Sequence, residues 1–224
     1  GNWYKGNLHS HTTVSDGKMT PEQSVEVYKE HGYNFLALSE HDIYTDYRKQ
    51  YNTDNFIMIP AIEASAILYQ EEGSSKRLEI HHLHGILGTS EMQKNAKAPL
   101  FTHMEHVPPQ KHYGTWRGRE ISQEIADMLR DRGCVVTYNH PIWSRVTEEE
   151  FIYTEGVQAL EIFNYNTVLE SNTGYDVTYW DRMLRMGKKI NGFASDDNHN
   201  EGLFEDSCGG WICVQAPELT HDAI

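Results

Sequence analysis

Residues 6–17 read GNLHSHTTVSDG, and the fold class turns on how this stretch is read. A short β-rich run from Lys5 ends in two histidines, His9 and His11, separated by one residue, and Asp16 follows five positions later in front of Gly17. Residues i and i+2 of an extended segment project to the same side, so H-x-H aims two imidazoles at one point at a strand's end. In parallel sheets and barrels that end is the rim where loops from different strands converge and active sites form.

The rest of the chain repeats the arrangement. β-rich runs read KGNLHSH, NFLALSEH, FIMIPAIEA, LEIHHLHGIL, CVVTYNHP, VQALEIFN, KINGFASDDNH and WICVQA, with helical stretches between them. The clearest helix is predicted from Pro21 to His31. Thr20 is its N-cap, Gln23 closes a capping box and Gly32 stops it. Further helices are predicted over Glu120–Arg132 and Asp176–Met186, each followed by glycine. Residues 88–118, with Pro99, Pro108 and Pro109, read as one long loop. Alternating β and α units predict a parallel sheet or barrel in a single domain. His41, Glu63, His140, Asp197 and His199 then fall at strand ends beside His9 and His11.

Composition narrows the function. Nineteen Lys and Arg against 33 Asp and Glu leave a formal charge of −14, which repels a phosphate backbone and excludes bulk nucleic-acid binding. No apolar run reaches the roughly 18 to 20 residues a membrane span needs, and no leader pattern opens the chain, so no membrane partner is expected. A cytoplasmic location is expected, with a leader removed ahead of Gly1 left open. Cys134, Cys208 and Cys213 are odd in number and lack C-x-x-C spacing. They are expected to be small buried residues in strands rather than disulfides or metal ligands. Histidine is the unusual residue, with 13 in 224. Seven or more N and O donors at one rim would repel each other or stay unpaired at about 1–3 kcal/mol each without a cation. The pattern therefore predicts a metal cluster.

These residues carry a family resemblance. NLHSHTTVSDG, FLALSEHD, PAIEAS, HHLHGIL, YNHP and ASDDNH, in this order over residues 6–199, resemble the motifs of the polymerase and histidinol phosphatase (PHP) family of metal-dependent phosphoesterases. The resemblance implies a distorted (β/α)7 barrel with two or three divalent metal ions at the C-terminal ends of its strands. It implies one site from His9, His11, Glu63 and Asp197. A second would come from Glu63, His82 and His140, and a third from Asp16, His41 and His199. Asp16 stands where many relatives have histidine. Strand alternation puts His82 and His84 on one face and His81 on the other, and the family pattern favours His82 as the ligand. Residues 1–216 would form the PHP-type domain, and 217–224, with Thr220 as an N-cap, the start of a C-terminal helix.

The implied chemistry is hydrolysis of a small phosphate ester by a metal-bound hydroxide, with Glu63, Asp197 and His199 as the catalytic set. Nitrogen and oxygen ligands without thiolate suit Zn, Mn or Fe. The same machinery serves amide or other ester hydrolysis, and a non-catalytic metal-stabilised binding domain is the third reading. Lys111, Arg117 and Arg119 in the long loop, and Arg145 after NHPIW, are the expected phosphate contacts. Glu40, Asp42 and Asp196 read either as hydrogen-bond partners of ligating imidazoles or as capping or solvated carboxylates. YGTW (113–116) and IFNYN (162–166) read as pocket lining or as core and loop anchors. The sequence leaves oligomeric state open.

Overall fold

The computed structural model describes residues 1–224. Its strands are β1 (Asn2–Asn7), β2 (Phe35–Leu36), β3 (Ile57–Met58), β4 (Ala61–Tyr69), β5 (Arg77–Leu87), β6 (Gln110–Tyr113), β7 (Cys134–Tyr138), β8 (Ala159–Asn164), β9 (Asn191–Ser195) and β10 (Ile212–Ala216). The helices are α1 (Pro21–Glu30), α2 (Arg48–Tyr51), α3 (Ser90–Lys94), α4 (Gly118–Asp131), α5 (Pro141–Ser144), α6 (Tyr165–Ser171) and α7 (Val177–Arg185). No helix is long and apolar enough to cross a membrane.

The predicted helices form where their signals stand. Thr20 Oγ accepts the Gln23 N–H at 3.2 Å and Gln23 Oε1 accepts the Thr20 N–H at 2.9 Å, closing the capping box of α1. After α4 the chain turns at Gly133, whose φ of +80° favours glycine. The predicted 88–118 loop, in contrast, contains α3 and β6. At the C-terminus, Thr220 accepts the Ala223 and Ile224 N–H groups at 3.2 and 3.1 Å, forming a single turn whose Asp222 accepts the Ser90 N–H at 2.8 Å.

The expected barrel is not formed as a closed sheet. One sheet has the order β10-β1-β2-β3 and the other β6-β4-β5-β7-β8-β9. The pairs β1–β2, β2–β3, β4–β6, β7–β8 and β8–β9 are parallel. The β4–β5 and β5–β7 pairs are antiparallel, as is β1–β10. The cause is local: a short connection, closed by Gln70 N–H on Lys76 O at 3.0 Å, joins β4 to β5 as a hairpin, which forces them to run oppositely. β5 therefore runs against its neighbours, and the two sheets meet through isolated bridges, Ser10 to Asn198 and His41 to Glu63. The run FIMIPAIEA also divides into two strands, at Pro60, which has no N–H to give a ladder.

Side-chain alternation in β4 and β5 sets which face becomes core. Ile62, Ala64, Ala66 and Leu83 pack with Ile121, Ile125, Ala126 and Leu129 of α4 in the largest apolar cluster. A Cβ on Gly85 would lie 2.7 Å from Leu129 Cδ2, so glycine there lets the helix sit close. Glu63, Ser65, His82 and His84 consequently face the other way. Among the cysteines only Cys134 meets the expectation of burial in a strand: Cys208 is half-buried and Cys213 exposed, and all three are free.

Candidate metal centre

The segments that leave the sheets carry the polar cluster. β1 ends at Asn7, so His9 and His11 lie just beyond it, both fully buried. The following loop returns onto them. Gly17 donates to Thr12 O at 2.9 Å, and a Cβ at that position would lie 2.3 Å from His11 O, which explains the glycine after Asp16. Glu40 accepts the Thr12 N–H at 2.8 Å and the Ser15 hydroxyl at 2.7 Å; it fastens this loop and touches no imidazole. Asp196 likewise caps a turn, accepting the Cys208, Gly209 and Gly210 N–H groups at 2.7–2.8 Å. His140 and Asp197 hold left-handed backbone, with φ of 31° and 51°, a strained state that persists at sites where surrounding contacts over-determine it.

Three overlapping groups of side chains bring potential ligand atoms within 4.8 Å of one another: His9, His11, Glu63 and Asp197; His41, Glu63 and His82; and His11, Asp16, His41 and His199. His9 Nε2 lies 2.9 Å from Glu63 and 3.0 Å from Asp197. His11 Nε2 lies 2.9 Å from Asp197. His41 sits between groups, 3.3 Å from both Asp16 and Glu63, while His199 Nε2 is 3.3 Å from Asp16. His140 Nε2 is 3.3 Å from His82 Nδ1 and 3.7 Å from Glu63. All nine residues of the expected ligand set thus come together, although Glu63 and His82 project from within β4 and β5 rather than from strand ends. His84 is also close, 3.5 Å from Glu63. His81 faces away, between Tyr138 Oη and Gly118 O.

The electrostatics are those of a site built around a cation. His9 Nε2, both nitrogens of His11, Glu63 Oε1 and Asp197 Oδ1 are buried without a hydrogen-bond partner, because their close contacts lack hydrogen-bond alignment. Such groups are costly to bury. Burial disfavours protonation of His11, but Asp197 and Glu63 outweigh it and hold the ring up at about 10. His9 is raised for the same reason. Glu63 stays well below the usual carboxylate range against the effect of burial, because His9 and His82 face it. Burial pushes His82 down, with His140 and His41 adding to the effect. Two further rings have Nδ1 engaged and Nε2 turned to the cluster: His140 Nδ1 meets Ser144 Oγ at 2.9 Å, and His199 Nδ1 meets Asp197 O at 2.8 Å.

A cavity of about 410 Å³ opens over the cluster. None of the expected phosphate contacts lines it. Arg117 is exposed and paired with Glu120 at 2.8 Å, Arg119 lies over the Tyr153 ring at 4.3 Å, and Lys111 is exposed on β6. Arg145 donates to Arg77 O at 2.5 Å. Arg77, at the start of β5, is the only Lys or Arg on the cavity wall; the hairpin that carries it there is long-range structure and leaves no sequence motif. Trp116 anchors a loop through Glu150 at 2.9 Å, and Phe163 packs on Tyr165 and Tyr175; neither lines the cavity. Glu161 lies outside the sequence motifs, yet it contacts His9 at 2.6 Å. Its signal is a lone charge inside the apolar strand ALEIFN.

No protein-family model matches the chain, and no curated protein does. Solved structures do. A two-domain protein from Bacteroides vulgatus, containing a predicted PHP-like metal-dependent phosphoesterase, aligns over 100% of this chain and 61% of its own, with a TM-score of 0.59 and 16% identity. The chain thus spans about three-fifths of that protein. A protein of Bifidobacterium adolescentis, named a metal-dependent phosphoesterase by inference, aligns over 92% of this chain and 91% of its own, with a TM-score of 0.54 and 14% identity. An amidohydrolase of Chromobacterium violaceum, with sulfate bound, aligns over 96% and 92%, with a TM-score of 0.56 and 13% identity. The chain therefore shares the fold of PHP-like metal-dependent phosphoesterases and of this amidohydrolase, with a histidine and carboxylate cluster at the rim.

Proposed function

We propose that the protein is a metal-dependent hydrolase acting on a small phosphate ester. The observation that carries this reading is the convergence of buried donor atoms without hydrogen-bond partners, His9 Nε2, His11 Nε2, Glu63 Oε1 and Asp197 Oδ1. Donors of N and O without thiolate fit Zn, Mn or Fe. His9, His11, Glu63 and Asp197 would hold one ion, Glu63 with His82 and His140 a second, and Asp16, His41 and His199 a third. When bound, such ions polarise a phosphoryl oxygen and lower the pKa of water toward roughly 7.

The chain's own residues do the rest. Glu63, facing six histidines within 3.7 Å, sets the spacing of the centre. Asp197 and His199 border both the cluster and the cavity, so they face the reacting phosphate. Arg77 is the residue of the wall that can grip two phosphate oxygens at once, and Arg145 steadies its backbone. Trp143 gives a flat wall for the leaving group. Asp42, Glu170, Glu201 and Asp206 also line the cavity, and their charge repels a polyanion and favours a compact substrate with one phosphate.

The test is release of inorganic phosphate from an aryl phosphate by metal-loaded, chelator-treated and Glu63→Gln protein. Activity is expected only in the first. Phosphate release that survives both treatments would overturn the reading. Amide hydrolysis is the second reading, supported by the fold shared with the Chromobacterium amidohydrolase. A metal-loaded protein inert on phosphate esters and active on amides would select it.

A further inference from the structure

Strand β8 supplies none of the candidate ligands, yet it holds a carboxylate with no exposed surface. Glu161 is fully buried, and an ion in that position is stable only when its lone pairs are filled. They are filled by four donors from four parts of the chain. Oε2 receives His9 Nδ1 at 2.6 Å and the Ser195 hydroxyl at 2.6 Å. Oε1 receives the His140 backbone N–H at 3.2 Å and Asn164 Nδ2 at 2.8 Å. The second hydrogen of Asn164 Nδ2 goes to Asp197 Oδ2 at 2.9 Å. The orientation of that amide is set from its other end, because Asn164 Oδ1 accepts the Thr167 N–H at 2.9 Å and caps α6.

On a regular strand residues i and i+3 point to opposite faces. Here the register of β8 with β9 shifts between Glu161 and Phe163, and such a bulge reverses the alternation, which brings Glu161 and Asn164 to one side. The consequences reach three strands. An ionised Glu161 can only accept, so His9 carries a proton on Nδ1, and Nε2, which points toward Glu63 and Asp197, is the nitrogen that can give its lone pair to an ion. The His140 N–H is tied at the residue whose backbone is strained. Asp197 is held by Oδ2, so Oδ1, the oxygen without a partner, is the one presented to the cluster.

We infer that Glu161, with Asn164 beside it, is the positioning residue of the metal centre, selecting the His9 ring nitrogen that binds and joining His9, His140 and Asp197 into one constellation. The inference rests on the metal-dependent reading of the site and adds to it a role for a strand that contributes no ligand. Hydrogen-bond partners of this kind are typically worth about 10- to 100-fold in metal affinity.

The experiment is zinc titration by calorimetry, with histidine tautomers read by long-range ¹H–¹⁵N NMR, on wild-type, Glu161→Gln and Asn164→Asp protein. In the zinc-loaded wild type the His9 proton is expected on Nδ1. Glu161→Gln is expected to weaken zinc at the site of His9 and Asp197 by about 10- to 100-fold, with the Glu63, His82 and His140 site following through the tied His140 N–H, while the site of Asp16, His41 and His199 keeps its affinity, a selectivity that general loosening of the fold would not give. Asn164→Asp keeps the α6 cap and removes the donor to both Asp197 Oδ2 and Glu161 Oε1; it should weaken the site of His9 and Asp197 with the His9 tautomer unchanged, because His9 Nδ1 bonds the other oxygen of Glu161. A wild-type His9 protonated on Nε2 would overturn the inference whether or not either variant folds. So would variants that bind zinc like wild type, and in that case the metal centre itself stands. Wild-type protein that takes up no zinc would overturn both.

Discussion

Asp176 offers a test of the packing behind the site. It is fully buried. One of its oxygens accepts the Ile142 N–H at 3.1 Å, behind His140, and the other has no partner. Burial, the largest influence, pushes its carboxyl from 3.8 up to about 7, with Glu161 adding to it and Ile142 N–H and His140 opposing. An acid whose folded pKa is raised holds its proton more tightly in the folded state. The stability this contributes is fully present below about pH 4 and is lost as pH rises from about 4 to about 7. Three pH units at about 1.4 kcal/mol each give up to about 4 kcal/mol. Asp176→Asn is neutral throughout. Replacing the unpartnered oxygen by an amide shifts its stability by an amount that does not vary with pH. Urea unfolding of chelated wild type and variant from pH 4 to 8 should therefore show the variant gaining on wild type by up to about 4 kcal/mol across the series, roughly 10 °C in Tm for a chain this size. A difference that stays flat with pH, or grows in the opposite direction, would refute the account of Asp176 as a buried, poorly solvated carboxylate.

Two further outcomes follow from the cavity and from β5. Arg77→Ala should raise KM for an aryl phosphate by about 10- to 100-fold, the worth of a hydrogen bond to a charged group, while Arg117→Ala and Arg119→Ala leave it unchanged; equal effects from all three would remove Arg77 from the site. His82→Ala should lower bound metal by one ion per chain as measured by elemental analysis, whereas His84→Ala should leave the count unchanged, and the reverse result would shift the register of the ligand on β5.

Much of the site could be read from the chain because its ligands come in short-range signals. H-x-H and the glycine after Asp16 report local geometry, in which extended backbone sends i and i+2 to one side and a close backbone approach admits no Cβ, whereas D-N-H reaches the cluster through the left-handed backbone of Asp197. The helix limits were readable for the same reason, since the Thr20 box and the glycine stops act within one turn. None of the cations singled out along the chain lines the cavity, because charge counts along a loop carry no direction. Arg117 and Arg119 form surface pairs, and the cavity's cation comes from a hairpin.

The sequence by itself determined the main strands and helices, the donor types of the cluster and the net acidity of the chain, because each depends on composition or on spacing within a few residues. Only the tertiary structure decided that β5 runs antiparallel, that the two sheets stay unclosed, that Arg77 lines the cavity, and that Glu161 gathers hydrogen bonds from segments at the ends of three other strands. Those depend on which distant segments pair and on a bulge that reverses side-chain alternation. Both are settled when the strands pack and their buried polar groups find partners, and local pattern does not encode either.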